Sequence, residues 1–267
     1  MPKLLTDWSP QAAKRVTWLF TDVDDTLTWR GKLPAETLDA MQQLSLAGIN
    51  VVPVTGACAG WCDQIARLWP VHGVIGENGA FWITKRQQQF HHHYCVPFSE
   101  MRKRQRYLLE QVKQVLASYP GLTLANDQSF RFCDVAVNIA QDRTPLSAEL
   151  IEELLLQLRQ LTVFGDPVQA TESSIHINVW TGNHSKRSSS QSYLSQALNG
   201  EVNQEEVAYV GDSCNDEPMF SWINNSVGVN NITPYLPKLA CPPQYMTRQN
   251  GGYGFAELAH FLLSAKE

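Results

Sequence analysis

The N-terminal part of the chain alternates short apolar runs with longer segments of mixed polarity. The apolar runs are rich in β-branched and aromatic residues, which is typical of buried strands. They predict strands at residues 16–21, 49–55 and 71–76. Proline near a helix start and glycine or proline after its end predict helices at residues 34–47 and 58–69. Strands that alternate with helices favour a mostly parallel sheet with helices on both faces.

The same alternation returns in the C-terminal part. Two further strands are predicted at residues 206–210 and 226–229. Four helices are predicted at residues 185–198, 216–222, 234–239 and 255–264. Together, residues 1–83 and 182–267 are therefore expected to form one α/β core with a doubly wound, mostly parallel, Rossmann-like sheet.

The middle of the chain, residues 84–181, has a different pattern. Strands are predicted at residues 90–96, 130–139, 163–170 and 174–180, with long helices at residues 100–118 and 147–161. In the last strand, Ile175, Ile177 and Val179 alternate with more polar residues, which is typical of a sheet with one free face. We expect a separate α+β module inserted into the core.

Net charge, the length of apolar stretches and the cysteine spacing limit the kinds of protein that the chain can be. The 267 residues carry a formal net charge of −5, which gives no general attraction to nucleic acid or to an anionic membrane. Apolar stretches are too short for a membrane span, and residues 1–10 have no apolar signal-peptide core. The six cysteines lack paired spacing and are expected to be reduced thiols. A cytoplasmic protein is the expectation.

An acidic run, Asp22-Val23-Asp24-Asp25, directly follows the first predicted strand. Three carboxylates in four residues repel one another unless a cation neutralises them, and hard oxygen ligands select magnesium or calcium. Other polar groups follow the ends of two more predicted strands, namely Thr55-Gly56 and Gly211-Asp212. Open parallel sheets bind ligands at this edge.

These motifs resemble those of the haloacid dehalogenase (HAD) superfamily. The resemblance rests on Asp-x-Asp-x-Thr at residues 22–26, Thr55 at a strand end, Lys186 downstream, and Gly-Asp-Ser-x-Asn-Asp at residues 211–216. About 130 residues separate the second motif from Lys186. That spacing resembles subclass IIB, in which an α/β cap is inserted after the second motif, as in trehalose-, sucrose- and mannosyl-phosphoglycerate phosphatases.

The resemblance implies a role for each motif. Asp22 would be the nucleophile that forms an aspartyl-phosphate, and Asp24 the general acid and base. Asp22, the main-chain carbonyl of Asp24 and Asp212 would hold Mg²⁺. Thr55, Gly56 and Lys186 would bind the phosphoryl oxygens, although Arg187 adjoins Lys186 as an alternative. Asn215 and Asp216 would act through water or by orienting the direct ligands.

One position departs from the family pattern. Several relatives carry arginine after the Thr/Ser-Gly of the second motif, whereas Ala57 and Cys58 follow here. A positive charge near the phosphate would then be missing or supplied by the cap, with Arg131 as a candidate. Cys58 could then lie close to the site and be sensitive to oxidation.

The cap would select the substrate. Arg131, Asp134, His176 and Asn178 are its polar candidates, with outward-facing strand residues as the alternative. Asparagine and aspartate suit hydroxyl groups, and the resemblance also favours a sugar phosphate. The expected activity is a magnesium-dependent phosphatase acting on a small phosphorylated metabolite. A phosphomutase of the same superfamily and a catalytically silent sugar-phosphate-binding protein are the alternatives.

Overall fold

The strands and helices follow the alternation that the sequence predicts. The computed structural model describes residues 2–86, 89–198 and 202–267. The strands are β1 (Lys3–Leu4), β2 (Trp18–Thr21), β3 (Asn50–Pro53), β4 (Gly73–Gly76), β5 (Phe81–Arg86), β6 (Gln89–Tyr94), β7 (Val135–Asn138), β8 (Thr162–Val163), β9 (Asp166–Glu172), β10 (His176–Thr181), β11 (Val207–Gly211), β12 (Asn225–Gly228) and β13 (Tyr245–Met246). The α-helices are α1 (Pro10–Lys14), α2 (Ala35–Leu46), α3 (Ala59–Leu68), α4 (Phe98–Leu116), α5 (Ala148–Leu158), α6 (Lys186–Leu198), α7 (Glu217–Phe220) and α8 (Gly251–Lys266).

The central sheet has the strand order β1-β13-β12-β11-β2-β3, and its neighbouring strands run parallel. Phe20 of β2 lies opposite Tyr209 of β11 on one side and Val52 of β3 on the other. Parallel strands in register end at the same edge. The residues that follow β2, β3 and β11 are therefore brought together there.

Helices cover both faces of this sheet. Helices α2, α3 and α8 bury Leu44, Ile65 and Leu258 against one face. Helices α6 and α7 bury Leu194 and Phe220 against the other. The predicted doubly wound α/β fold is therefore confirmed. Parallel strands with two covered faces have an apolar side chain at nearly every position, which explains the apolar runs in the sequence.

Three antiparallel strands extend the sheet beyond β3. The strands β4, β5 and β6 pair antiparallel, and a parallel bridge between Val54 and Ile75 joins them to the end of β3. A 3₁₀ turn over Glu77–Gly79 connects β4 to β5. The predicted domain boundary at residues 83/84 falls inside β5, and the division into core and cap stays a prediction.

The inserted segment contains a second sheet of order β7-β10-β9-β8, with antiparallel neighbours. Helices α4 and α5 pack on one of its faces, where Leu108 and Leu154 meet Ile177 in a buried cluster. The residues that alternate with Ile177 on β10 point to the other face. That face meets the core, because Asn178 contacts the loop after β3.

The predicted strand at residues 130–139 is wrong at its N-terminal end, since only Val135–Asn138 forms a strand. The preceding Gln128–Phe130 is a 3₁₀ turn. The backbone N–H groups of Phe132, Cys133 and Asp134 donate to the carboxylate of Glu77 in the core. A side chain from a distant segment therefore takes the hydrogen bonds that a strand would need.

Two other predicted elements differ from those observed. The predicted strand at residues 163–170 is divided into β8 and β9 by a turn at Phe164-Gly165, where both residues have positive φ values of 53° and 90°. The predicted helix at residues 234–239 is part of a 3₁₀ stretch, Asn230–Lys238. Pro234 and Pro237 within it remove backbone donors that an α-helix requires. In the described parts of the chain, no helix is both long and apolar enough to cross a membrane.

Candidate active site

Three buried carboxylates meet at the carboxyl edge of the central sheet. Asp22 follows β2, whereas Asp212 and Asp216 follow β11, and their exposed fractions are 5%, 1% and 0%. Each offers an oxygen within 4.8 Å of the others. The Asp22 N–H donates to the Val210 carbonyl at 2.9 Å, which fixes the two loops side by side. The predicted meeting of these motifs is therefore present in the fold.

Lys186, the first residue of α6, inserts its ammonium group into this cluster. Its Nζ donates to Asp22 Oδ1 at 2.5 Å and to Asp216 Oδ1 at 2.7 Å. Burial lowers the pKa of Lys186, but the carboxylates of Asp216 and Asp22 outweigh burial and raise it above its usual range. Burial raises the pKa of Asp22 to about 7, although Lys186 opposes the rise. One lysine therefore does not balance three carboxylates.

The excess negative charge fits a divalent cation. Burial, Asp22 and Asp216 raise the pKa of Asp212 well above its usual value, which shows how poorly this carboxylate is compensated by protein groups. Thr26 Oγ1 donates to Asp212 Oδ1 at 3.1 Å and orients it. A set of carboxylate oxygens without nitrogen or sulfur ligands suits a hard ion such as Mg²⁺.

Asp216 has a different environment from the other two carboxylates. Its Oδ2 accepts from the backbone N–H groups of Asp212 and Ser213, and its Oδ1 accepts from Lys186 and from the Tyr209 hydroxyl. Four donors occupy both oxygens. Asp216 is therefore arranged to shape the loop after β11 and to hold Lys186. The carboxylate oxygens of Asp22 and Asp212 are more available to bind a cation. Asn215 lies in the same loop, where its Oδ1 accepts from the Ser213 hydroxyl at 2.9 Å.

The Asp24 carboxyl lies apart from the three-carboxylate cluster. Burial and Asp25 raise its pKa to about 6, while Lys186 and Arg131 lower it. A carboxyl group in this range can hold a proton near neutral pH and release it, which a general acid and base requires. Asp25 has a local role, because its Oδ1 accepts from the Arg30 N–H at 3.1 Å.

The loop after β3 carries Thr55 and Gly56. The Thr55 side chain is buried, and its Oγ1 accepts from the Ala57 N–H at 2.9 Å. The Gly56 carbonyl accepts from two residues of the inserted segment, Arg131 Nη1 at 2.8 Å and Asn178 Nδ2 at 3.3 Å. The loop is thus tied directly to the predicted cap.

The four predicted cap residues are all buried, but they chiefly bond one another and their neighbours. The Arg131 guanidinium pairs with Asp134 at 3.0 Å and with Asp127 at 3.1 Å. Asn178 Nδ2 donates to Asp134 Oδ2 at 2.7 Å. Because two carboxylates share Arg131, its side chain adds no net positive charge to this region. His176 Nε2 lies 2.8 Å from Gln141 Oε1.

Two concave regions flank the cluster, each with a volume of about 470 Å³. The first, which we call the cap cavity, lies between core and cap and is lined by Asp24, Arg30, Trp61, Asp127, Arg131 and His176, among others. The second, the lysine cleft, is lined by Asn78, Asn183, Lys186, Asn215 and their neighbours. Asp24 therefore lines one of these spaces and Lys186 the other.

Several residues of the site have no strong signal in the sequence. The carboxylate of Glu77 is fully buried and binds the backbone of residues 132–134. Asp127 neutralises Arg131, and Asn231 Nδ2 donates to Asp212 Oδ2 at 3.3 Å. Only the adjoining Asn78-Gly79 turn marks the position of Glu77. Burial raises the pKa of the Cys58 thiol to about 12, so Cys58 is not a reactive thiolate near neutral pH.

Comparison with known proteins places this architecture in a family. The chain matches the family profile described as haloacid dehalogenase-like hydrolase over residues 19–119 and 125–251. Phosphoglycolate phosphatase of Methanobrevibacter smithii is 26% identical over 238 residues, covering 88% of this chain and 94% of that protein.

Solved structures share the fold at low identity. The crystal structure of Thermoplasma acidophilum 0175 gives a TM-score of 0.70 at 15% identity, covering 93% of this chain and 99% of that chain. The sucrose-phosphatase of Synechocystis sp. PCC6803, solved with sucrose and phosphate, gives 0.64 at 19% identity and covers 98% of both chains. The family that the sequence motifs predict is therefore confirmed. The chain belongs to the haloacid dehalogenase-like hydrolase family.

Proposed function

We propose that the protein is a magnesium-dependent phosphatase that hydrolyses a small phosphorylated metabolite through an aspartyl-phosphate on Asp22. The observation that carries this proposal is the contact of Lys186 with Asp22 inside the buried cluster. The lysine orients one oxygen of the carboxylate and brings positive charge to the place where a phosphoryl group would react. Family membership supports the same class of reaction.

Asp22, Asp212 and the main-chain carbonyl of Asp24 are the groups that we expect to hold Mg²⁺. When bound, the ion would neutralise these carboxylates and the phosphoryl oxygens, so that an anionic nucleophile can approach an anionic ester. Asp216 would support the ion indirectly, since its oxygens are already occupied by four donors.

The chain supplies the groups for two successive displacements. A carboxylate oxygen of Asp22 forms a bond to phosphorus, the ester P–O bond breaks, and Asp24 donates its proton to the departing alkoxide. Asp24 then takes a proton from water, the water oxygen bonds to phosphorus, and the bond between phosphorus and Asp22 breaks to release inorganic phosphate. Thr55, Gly56 and Lys186 would hold the phosphoryl oxygens throughout.

The organic part of the substrate would occupy the cap cavity, because Asp24 lines that space and must reach the leaving oxygen. Carboxylates of Asp127 and Asp142 line the same cavity. Burial lowers the pKa of His176 to about 4, so its imidazole is neutral at physiological pH. Trp61, which is 58% exposed, offers an aromatic face to the cavity. Carboxylates, amides and an aromatic face suit the hydroxyl groups and C–H faces of a sugar.

A substrate with a carboxylate in its leaving group is the alternative, since phosphoglycolate phosphatase is a relative. Among the described residues that line the cap cavity, the cations are Arg30 and Arg131, and Arg131 is already paired with Asp127. Asp24, Asp25, Asp127 and Asp142 line the same cavity and outnumber these two cations, so a further carboxylate would meet an excess of like charge. Glucitol 6-phosphate and 6-phosphogluconate are a matched pair for the test, because they differ only in a terminal CH₂OH or carboxylate.

We expect kcat/KM to be at least about tenfold higher for glucitol 6-phosphate, the equivalent of one unfavourable charge contact. Equal or higher activity on 6-phosphogluconate would contradict the proposed preference for a neutral sugar and leave the phosphatase activity itself standing.

Phosphatase activity is tested by release of inorganic phosphate from p-nitrophenyl phosphate. We expect activity with Mg²⁺ that is lost with a chelator and in Asp22→Asn. Asp39→Asn, which changes an exposed residue of α2, is the matched control and should keep full activity. Hydrolysis that survives in Asp22→Asn would refute the proposed nucleophile. Interconversion of sugar monophosphates without phosphate release would favour the phosphomutase, and phosphate-ester binding without turnover would favour the silent binding protein.

A further inference from the structure

Asn78 has a buried hydrogen-bond donor without a partner. The residue is 2% exposed, and its Nδ2 finds no acceptor in the part of the chain that the structure describes. A buried amide N–H₂ that loses its bonds to water and gains none costs about 1–3 kcal/mol. Unpaired donors of this kind are rare in folded proteins, and a binding role is one of the explanations.

The backbone of Asn78 adds a second cost. Its φ is 54°, and the preceding Glu77 has a φ of 45°, so two successive non-glycine residues are in the left-handed region. Glycine adopts this conformation without a steric penalty, whereas asparagine is tolerated there less well. A glycine at position 78 would remove both the strain and the unpaired donor. The asparagine side chain therefore has no evident structural use at this position.

The position of Asn78 is central to the site. Its backbone N–H donates to the Thr55 carbonyl at 3.0 Å. Its amide lies over Gly56, because a Cβ built on that glycine would be 3.2 Å from Asn78 Nδ2. The next residue, Gly79, packs against the backbone just before Lys186, since a Cβ on Gly79 would lie 2.4 Å from the Ser185 carbonyl oxygen. Asn78 is thus held between the two segments that we propose to bind the phosphoryl group.

Asn78 and Lys186 also line the same space, the lysine cleft. We propose that Asn78 Nδ2 donates a hydrogen bond to a non-bridging phosphoryl oxygen of the substrate, beside Lys186. This inference rests on the proposed phosphatase function. The non-bridging phosphoryl oxygens that face away from Asp24 would then lie in the lysine cleft. The unpaired Asn78 N–H₂ group gains an acceptor when the phosphoryl group is bound. The free-energy cost of leaving this donor unpaired in the substrate-free protein is therefore removed in the complex.

Two variants separate binding from structure. Asn78→Gly removes the donor and relieves the left-handed backbone. Asn78→Asp keeps the shape but replaces the donor with an acceptor. Asn224→Asp, which changes an exposed residue that lines neither the cap cavity nor the lysine cleft, is the matched control for added charge. The readouts are the inhibition constant of inorganic phosphate in the presence of Mg²⁺, kcat/KM for p-nitrophenyl phosphate, and the midpoint of urea unfolding.

For Asn78→Gly we expect phosphate inhibition and kcat/KM both to weaken by about 10- to 100-fold, as for the loss of one hydrogen bond to a charged group. The urea midpoint should stay equal to that of the unchanged protein or rise. Asn78→Asp should lose more, because its charge repels the phosphoryl oxygens, whereas Asn224→Asp should stay within about threefold of wild type.

Unchanged phosphate inhibition in Asn78→Gly would overturn the inference, and so would a lower urea midpoint, since the side chain would then have a structural role. Either result leaves the phosphatase function intact if the unchanged protein releases phosphate. A wild-type protein without activity on any phosphate ester would instead refute the function on which the inference rests.

Discussion

Replacing Glu77 with glutamine should weaken the attachment of the cap segment to the core. The fully buried carboxylate accepts four backbone N–H bonds. Its Oε1 accepts from Ala59 at 3.1 Å and Phe132 at 2.7 Å, and its Oε2 accepts from Cys133 at 2.6 Å and Asp134 at 3.1 Å. Glutamine keeps the size of the side chain but has a single acceptor oxygen. Its N–H₂ group would therefore face two backbone donors.

The magnitude follows from those two donors. Each buried N–H left without a partner costs about 1–3 kcal/mol, so Glu77→Gln should lower the free energy of unfolding by roughly 2–6 kcal/mol. Burial and the Asp134 carboxylate raise the pKa of Glu77 to about 8, although Arg131 and the backbone donors oppose the rise. At pH 9 the carboxylate is ionised in both the folded and the unfolded chain. The comparison with glutamine then involves no proton uptake.

The assay is urea unfolding at pH 9, followed by tryptophan fluorescence. Glu100→Gln is the matched control, because Glu100 forms a partly exposed pair with Arg104 on α4. A surface pair of this kind contributes about 0–1 kcal/mol. A loss in Glu77→Gln no larger than that in Glu100→Gln would refute the reasoning, since the four bonds would then contribute no more than a solvated ion pair.

Three further predictions concern the site and its surroundings. Lys186→Ala should lower kcat by about 10²- to 10³-fold, as for the loss of one charge-stabilising group, and near-normal turnover of the folded variant would contradict its role. Gly211→Ala should also reduce kcat, because the added Cβ would lie 2.4 Å from Asp216 Oδ2 and displace the carboxylate that holds Lys186. A fully active variant would show that the contact between Asp216 and Lys186 is unimportant for turnover. The pKa of His176 falls from an ordinary 6.5 to about 4 through burial and nearby Arg131, so the unfolded chain binds a proton that the folded chain excludes between these values. Stability should therefore decrease as the pH falls from 6.5 towards 4, by up to roughly 3 kcal/mol, and urea midpoints measured over this range should show a weaker dependence in His176→Gln.

The doubly wound core was predictable because its signals are local. Apolar runs mark the buried strands, and polar residues mark the edge where those strands end. The parallel register of β2 and β11 then brings Asp212 beside Asp22. Lys186 reaches Asp22 from the start of α6, 164 residues further along the sequence. The family resemblance adds the expected order of the motifs, and the family is confirmed.

The contacts between cap and core were not predictable in the same way. Glu77 binds backbone groups 55 to 57 residues away, and nothing in its neighbouring sequence indicates those partners. The same bonds explain why residues 131–134 do not continue the predicted strand. The pairing of Arg131 with Asp127 and Asp134 also depends on the folded arrangement. Sequence reasoning could propose Arg131 as a free charge, but it could not show that two carboxylates share it.

The central claim is that the Asp22 carboxylate becomes phosphorylated during turnover. The direct measurement is to quench the enzyme with acid during turnover of a good substrate in Mg²⁺, reduce the trapped acyl phosphate with borohydride, and locate the modified residue by peptide mass spectrometry. We predict homoserine in place of Asp22 when Mg²⁺ is present, and none when the ion is chelated. Phosphate release without a trapped residue, or with a trapped residue at another position, would contradict the account.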